Sequence, residues 1–289
     1  VAKVIKPDQY LIIIGSAKCG TTSLFDYLSQ HPAICPSDPK EPEFFTEHRE
    51  RRRPVSRYED VWPAFDPAVH RYALEGSTGY TMWPQENDVA KRMLAYGIRP
   101  RIVYLVRDPI KRIESHVNFR RINSRQRASF DDSFFVDVSR YAAQLDPYVE
   151  AFGAESIRVV DFAHLCADLN KVCADLYDWL DLEPHTVVDS GISNETATLR
   201  KSQLERSDTL KRIVRKLPPG LQHAGRNLAL KVVPYRHERV GLSPERNHEI
   251  RQLLREDVER ISKEWGVDVS SWGFDDISTD DDLSRPNQR

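Results

Sequence analysis

Cysteine is scarce in this chain, with four among 289 residues. Cys19, Cys35, Cys166 and Cys173 match no zinc-binding spacing, and no metal site is expected. Cys166 and Cys173 lie seven residues apart on an expected helix. That is about 10 Å of rise, too far for a disulfide. Four reduced thiols are expected, and with them a cytoplasmic location. An excess of either charge is also missing. The formal net charge is −2, so the overall balance does not point to nucleic acid as a partner. No apolar run approaches transmembrane length, the longest being a short stretch near residue 11. Val1–Tyr10 has neither the apolar core nor the cleavage site of a secretory signal. No internal repeat is visible, and no Gly/Ser/Pro-rich linker divides the middle. One large α/β domain over residues 1–273 is expected, with a flexible acidic tail over 274–289.

The strongest positive signal lies at Leu11–Leu24. Leu11-Ile12-Ile13-Ile14 reads as a buried strand from its β-branched content. Gly15-Ser16-Ala17-Lys18-Cys19-Gly20 follows as a small-residue loop, and a helix opens on Thr21-Thr22-Ser23. This is the layout of a phosphate-binding loop. Amides of the loop and of the helix start point at an anion, and the helix dipole favours negative charge there. In the Walker pattern the lysine follows the second glycine. Here Lys18 precedes Gly20, and Thr21 occupies the Walker lysine's place. The loop is therefore expected to hold a phosphate-like group in a different way from an ATPase. Cys19 reads as a small loop residue rather than as a catalytic thiol.

Strands and helices alternate along the rest of the chain. The first unit is strand 11–15, loop 16–20 and helix 21–30. Residues 35–57 are polar and proline-interrupted. They include Lys40-Glu41-Pro42-Glu43-Phe44-Phe45, whose aromatic pair is expected to pack the loop onto the core. Arg49–Arg53 reads as a solvated charged face. A short strand at Tyr72–Gly76 precedes a helix over 85–96, and Arg101–Val106 is a second buried strand. A helix follows from about Ile110 to Asn123, then a helix over 139–152, a strand at Ile157–Val160 and a helix over 164–180. Residues 194–240 are rich in Arg and Lys with few strand signals. Ser243-Pro244-Glu245 starts a helix running to about Trp265, with Ser as N-cap and Pro at the first position. This alternation predicts an α/β fold of three layers, with a doubly wound, mostly parallel sheet.

A second anion site is suggested by Arg107 and Ser115. Arg107 stands where a strand ends, and Ser115 lies eight residues further on in the next helix. Both belong to the carboxyl-end crevice where open α/β sheets bind ligands. Arginine offers a permanently charged fork for phosphate, and serine adds a hydroxyl. With this pair beside the Gly15–Thr22 loop, the chain resembles the sulfotransferases that use 3′-phosphoadenosine 5′-phosphosulfate (PAPS). Their 5′-phosphosulfate loop is similar to Gly15–Thr22, and their 3′-phosphate signature is similar to Val106-Arg107-Asp108-Pro109 through Ser115. Lys40–Phe45 resembles the glutamate loop of heparan-sulfate and related carbohydrate enzymes, and Leu242–Trp272 resembles the C-terminal helix of bacterial members. The resemblance covers roughly residues 9–272.

The resemblance implies a set of roles. Ser16, Ala17, Lys18, Cys19, Gly20, Thr21 and Thr22 hold the 5′-phosphosulfate, while Arg107 and Ser115 hold the 3′-phosphate. Arg200 and Lys201 loosely match a C-terminal basic loop of the family that also touches the 3′-phosphate. Lys18 stabilises charge on the leaving group, and adenosine 3′,5′-bisphosphate departs without help from a metal. Glu41 is the implied general base, with Glu43 next to it as runner-up. His116, beside Ser115, lies in the 3′-phosphate helix, too close to that site for the role, and His70 lacks the matching context. Lys40, Tyr80 and Trp83 are candidates to line the acceptor, and core or lid packing is the other reading of Tyr80 and Trp83. Gly76 stands where glycosaminoglycan enzymes carry a lysine, which argues against a sulfated glycosaminoglycan. The implied acceptor is a carbohydrate or a small-metabolite alcohol. The alternatives are a P-loop kinase or nucleotide hydrolase, or an inactive nucleotide-binding module. A kinase would require a lysine at position 21 and a magnesium carboxylate, for which Asp108 is the candidate.

Overall fold

The computed structural model describes residues 5–47, 56–123, 128–189 and 240–274. Five strands are described: β1 (Tyr10–Gly15), β2 (Ile34–Pro36), β3 (Tyr72–Gly76), β4 (Arg101–Val106) and β5 (Ile157–Asp161). They form one sheet in the order β2-β3-β1-β4-β5, and every pairing is parallel. Ile12 pairs with Glu75 on one side and with Ile102 on the other.

The described helices are α1 (Thr21–Leu28), α2 (Val89–Tyr96), α3 (Pro109–Asn123), α4 (Ser133–Asp137), α5 (Tyr141–Phe152), α6 (Phe162–Ala167), α7 (Leu169–Trp179) and α8 (Pro244–Trp265). Period-two alternation sends Ile12 and Ile14 of β1 into one core, with Met93 of α2, Leu145 of α5 and Leu254 of α8. Leu11 and Ile13 enter the opposite core, with Leu24 and Leu28 of α1 and Leu176 of α7. A sheet covered on both faces needs strands that are apolar throughout, which is why β1 and β4 read as continuous runs. Each fully buried isoleucine of β1 contributes about 2 kcal/mol of transfer free energy.

The topology positions the site. From β1 the chain leaves through α1 toward β2, on one side of the sheet. From β4 it leaves through α3, α4 and α5 toward β5, on the other side. The loops after β1 and β4 therefore diverge from adjacent strands, and a crevice opens at their carboxyl ends.

The architecture is the expected one, with local differences. The sheet is parallel throughout rather than mostly so. β2 has three residues and ends in a proline, too little to show periodicity. The helix expected over 164–180 is two, because Asp168 leaves helical backbone and its carboxylate accepts from Lys171 N to cap α7. The helix expected over 85–96 begins only at Val89. α8 starts as expected, with the Ser243 side chain accepting from Arg246 N. Among the described residues no helix is long and apolar enough to cross a membrane. The four cysteines are free thiols.

Candidate active site

The loop after β1 is held from below. Ser16 N donates to Leu105 O at 2.9 Å, tying the loop to β4, and Cys19 N turns back to Ser16 O at 3.1 Å. Arg112, fully buried on α3, donates through Nε to Ala17 O at 3.0 Å and through Nη1 to Ser139 Oγ at 2.7 Å. Arg107 Nη1 reaches Lys18 O at 3.4 Å, so the two loops of the crevice touch. Gly20 is left-handed at φ 87, and a Cβ there would lie 2.7 Å from the Phe162 ring. Close packing of α6 under the loop therefore demands glycine at this position.

Gly20 offers no side-chain cap to α1. The first helix-type bond is donated by Leu24 N to Gly20 O, at 3.0 Å. The first-turn amides of Thr21, Thr22 and Ser23 thus have no acceptor within the helix, which is the condition for anion binding at a helix start. Thr21 is buried and Thr22 exposed. Cys19 is buried, with Sγ 3.8 Å from the Tyr141 hydroxyl. Burial pushes its thiol up, against opposing effects of Arg112, Tyr141 and Arg107. This agrees with the reading of Cys19 as a packing residue of the loop.

On the β4 side, Arg112, Ser115 and Phe119 follow each other at helical spacing along one face of α3. Arg112 touches Ala17, and Phe119 carries Lys18 Nζ at 4.3 Å from its ring centroid. Ser115 lies between them on the same face of α3. The Arg107 guanidinium lies 4.9 Å above Phe162. Asp108, the magnesium candidate of the kinase reading, instead caps α3 by accepting from Ile110 N at 2.9 Å.

On the β3 side, Lys40 Nζ donates to Thr22 Oγ1 at 3.2 Å and to Glu41 Oε1 at 3.0 Å. This joins the expected base loop to the start of α1. The loop is stitched to the end of β3: Gly76 N and Ser37 Oγ both donate to Lys40 O at 3.2 Å, and Glu43 N donates to Ser77 Oγ at 3.0 Å. Phe44 and Phe45 pack with Tyr58 and Tyr96, holding the loop on the core as expected.

Tyr80 packs into the core. It is buried, and its hydroxyl donates to Glu75 Oε1 at 2.8 Å, because the chain after β3 turns this ring inward. Trp83 is 40% exposed, with its backbone tied to the Gln144 side chain. His116 is buried against Phe134 and Phe135. Burial, then Arg112, Arg120 and Lys18, hold its imidazole well below the ordinary 6.5, so it is neutral and enclosed. His70 Nδ1 accepts from Asp66 N at 2.8 Å. Arg200, Lys201 and Arg49–Arg53 lie outside the described residues, as does the tail from 275.

Two buried charged residues at the site were not singled out from the sequence. Arg112 was hidden as one more charge on a polar helix, although it lies one turn before Ser115. Glu75 was visible only as a carboxylate in an otherwise apolar strand. It is fully buried and accepts from Tyr58 and Tyr80 through Oε1 and from Ser77 through Oε2. Burial pushes its carboxyl up to about 7 from 4.5, although these three hydrogen bonds pull downward. Between those values the folded chain keeps a proton that the unfolded chain has lost. The stabilisation is therefore complete below pH 4.5 and disappears as pH rises through 7. Relative to Glu75→Gln, the wild-type protein should lose on the order of 3 kcal/mol of unfolding free energy between acid and mildly alkaline pH. Denaturant titrations across that range measure it. An unchanging gap would show that Glu75 does not titrate there.

Residues 11–186 match the sulfotransferase family. The chain belongs to that family. The match covers β1 to the end of α7, and thus both loops of the crevice. This sulfotransferase is 22% identical over 198 residues to the mouse bifunctional heparan sulfate N-deacetylase/N-sulfotransferase 3, and 22% identical over 199 residues to the human one. Each alignment takes in 60% of this chain, which spans about a fifth of the relative, 22% of its length. Among solved structures it superimposes on a sulfotransferase from Alicyclobacillus acidocaldarius with a TM-score of 0.66. Identity there is 22%, and the match covers 93% of this chain and 99% of that one. The superposition shows the sulfotransferase fold over nearly the whole chain.

Proposed function

We propose that this sulfotransferase takes PAPS as donor and the hydroxyl of a carbohydrate or small-metabolite alcohol as acceptor. The observation that carries this reading is the arrangement of cations around the end of β1. Lys18 is in the loop itself, Arg107 adjoins it from β4, and Lys40 adjoins it from the β3 side. The donor groups suit a molecule with separate anionic ends. Uncapped amides at Thr21–Ser23, with Lys18 and the exposed Thr22 hydroxyl, suit the 5′-phosphosulfate. Arg107 and the Ser115 face of α3 suit the 3′-phosphate. When bound, the donor supplies an activated sulfuryl group, and adenosine 3′,5′-bisphosphate is the leaving group.

The chain's own residues have distinct tasks. Lys18 meets the negative charge that develops on the leaving oxygen, as electrostatic preorganisation requires. The α1 amides, Thr21 and Thr22 orient the 5′ end. Glu41 accepts the proton of the acceptor hydroxyl, a task needed because an alcohol is far less acidic than water's neutral point allows. Lys40 bonds Glu41 and Thr22 together and so places the base beside the donor loop.

The carbohydrate preference rests on the Lys40–Phe45 loop and on the heparan sulfate enzymes among the relatives. Transfer of labelled sulfate from PAPS to a panel of glycans, phenols, lipids and metabolite alcohols tests the donor and the acceptor class together. For the base, Glu41→Gln should lower turnover on an alcohol by about two to four orders of magnitude and erase the acidic limb of its pH profile. Near-normal rates in that variant would exclude Glu41.

A further inference from the structure

We infer that Glu75 is a positioning residue for acceptor activation: through Ser77 its carboxylate fixes the backbone at Glu43 and thereby aims the Lys40–Glu41 pair at the donor loop. This rests on the proposed role of Glu41. The chain of contacts is continuous. Glu75 Oε2 accepts from Ser77 Oγ at 2.6 Å, Ser77 Oγ accepts from Glu43 N at 3.0 Å, and Gly76 N, next to Glu75, donates to Lys40 O at 3.2 Å. Both ends of the Lys40–Glu43 segment thus hang on three consecutive residues at the end of β3.

The hydrogen-bond directions give Glu75 a state on which the loop depends. Tyr58, Tyr80 and Ser77 all donate to it, an arrangement that suits the ionised carboxylate. Once protonated, the carboxyl also becomes a donor, and its proton competes for an acceptor among these three hydroxyls. Ser77 is the sensitive one. It already accepts from Glu43 N, and a proton on Oε2 would displace its own. The groups around Glu75 are Tyr58 from the 3₁₀ turn Tyr58–Val61, Tyr80 from the 3₁₀ turn Thr78–Thr81, Tyr148 from α5, and Glu41 from the loop. Glu41 raises the Glu75 carboxyl further, so the two carboxylates sense each other. With the Glu75 carboxyl at about 7, the switch falls within the working range of pH.

The test follows the Glu43 amide resonance and kcat over the same pH series, in the intact chain. In the wild-type protein the amide should titrate near pH 7 without any substrate, and kcat should rise several-fold through the same midpoint. Affinity for adenosine 3′,5′-bisphosphate should stay constant to within about two-fold, because Lys18 and Arg107 are not part of this chain of contacts. Glu75→Gln should abolish both titrations. Tyr80→Phe removes one donor from the carboxylate and should move both midpoints upward, which keeps the inference testable if Glu75→Gln does not fold. Ser77→Ala should uncouple kcat from pH near 7. A Glu43 amide that does not titrate, or a kcat step that survives in Glu75→Gln or Ser77→Ala, would overturn the inference. Failure of wild-type protein to transfer sulfate from PAPS, with the amide titration intact, would count against the proposed donor while supporting the hold of Glu75 on the loop.

Discussion

Lys18→Ala should lower kcat by about two to three orders of magnitude while leaving the fold in place. The expected size follows from removing one preorganised charge from the place where negative charge develops, an effect worth about 10²–10³ in rate. The lysine ammonium rests on the Phe119 ring at 4.3 Å, and its side chain is only partly buried. Its backbone is what the crevice uses: Lys18 O accepts from Arg107, and position 18 adopts φ 73. Alanine leaves that carbonyl in place, so loop shape and bisphosphate affinity should change little, and the loss should fall on the chemical step. Single-turnover sulfuryl transfer, with affinity for adenosine 3′,5′-bisphosphate measured in parallel, separates the two. Undiminished turnover would remove Lys18 from the chemistry. Equal losses in kcat and in bisphosphate affinity would reassign it to ground-state binding.

The second large effect concerns nucleotide identity. The intact protein should bind adenosine 3′,5′-bisphosphate far more tightly than 5′-AMP, and Arg107→Ala should erase most of the difference. A charge-assisted contact to phosphate contributes about 1.5–3 kcal/mol, or roughly ten- to a hundred-fold in affinity. Arg107 is set for such a contact. Its guanidinium is supported by the Phe162 face at 4.9 Å, and the residue is partly buried just past the end of β4. Arg107→Lys should restore only part of the discrimination, since an ammonium lacks the planar fork. Calorimetric titration of both nucleotides at fixed salt gives the ratio. Discrimination that survives in Arg107→Ala would place the 3′-phosphate elsewhere.

The parts of this protein that were legible in the sequence are those with local causes. Buried parallel strands need unbroken apolar runs, so β1 and β4 stood out. The small-residue loop, the Ser243 cap and the strand–helix alternation are equally local signals, and together they predicted the layers and the crevice. What stayed hidden depends on partners far apart in the chain. Tyr80 reads equally as a pocket or a core aromatic until Glu75 is seen to accept its hydroxyl. Glu75 makes sense only with Tyr58, seventeen residues upstream. Arg112 looked like surface charge on α3, yet it lies under the donor loop. The split between α6 and α7 turned on a single aspartate side chain, Asp168, that a periodicity reading passes over. Arg200 and Lys201 fall outside the described residues, and their suggested contact stays an expectation from resemblance.

The placement of β1 between β3 and β4 has a consequence for how such an enzyme diversifies. The proposed 3′-phosphate contact, Arg107, adjoins the loop from one flank, and the candidate proton-accepting loop adjoins it from the other, joined to the start of α1 by the Thr22–Lys40 hydrogen bond. Substitutions at exposed positions of 37–47 and 77–83 outside the Lys40–Glu41 pair and the Glu75 network, such as Trp83, should therefore retune which molecule is sulfated while leaving delivery of the sulfuryl group in place. Directed evolution toward new products should concentrate its libraries at those positions and leave the opposite flank untouched.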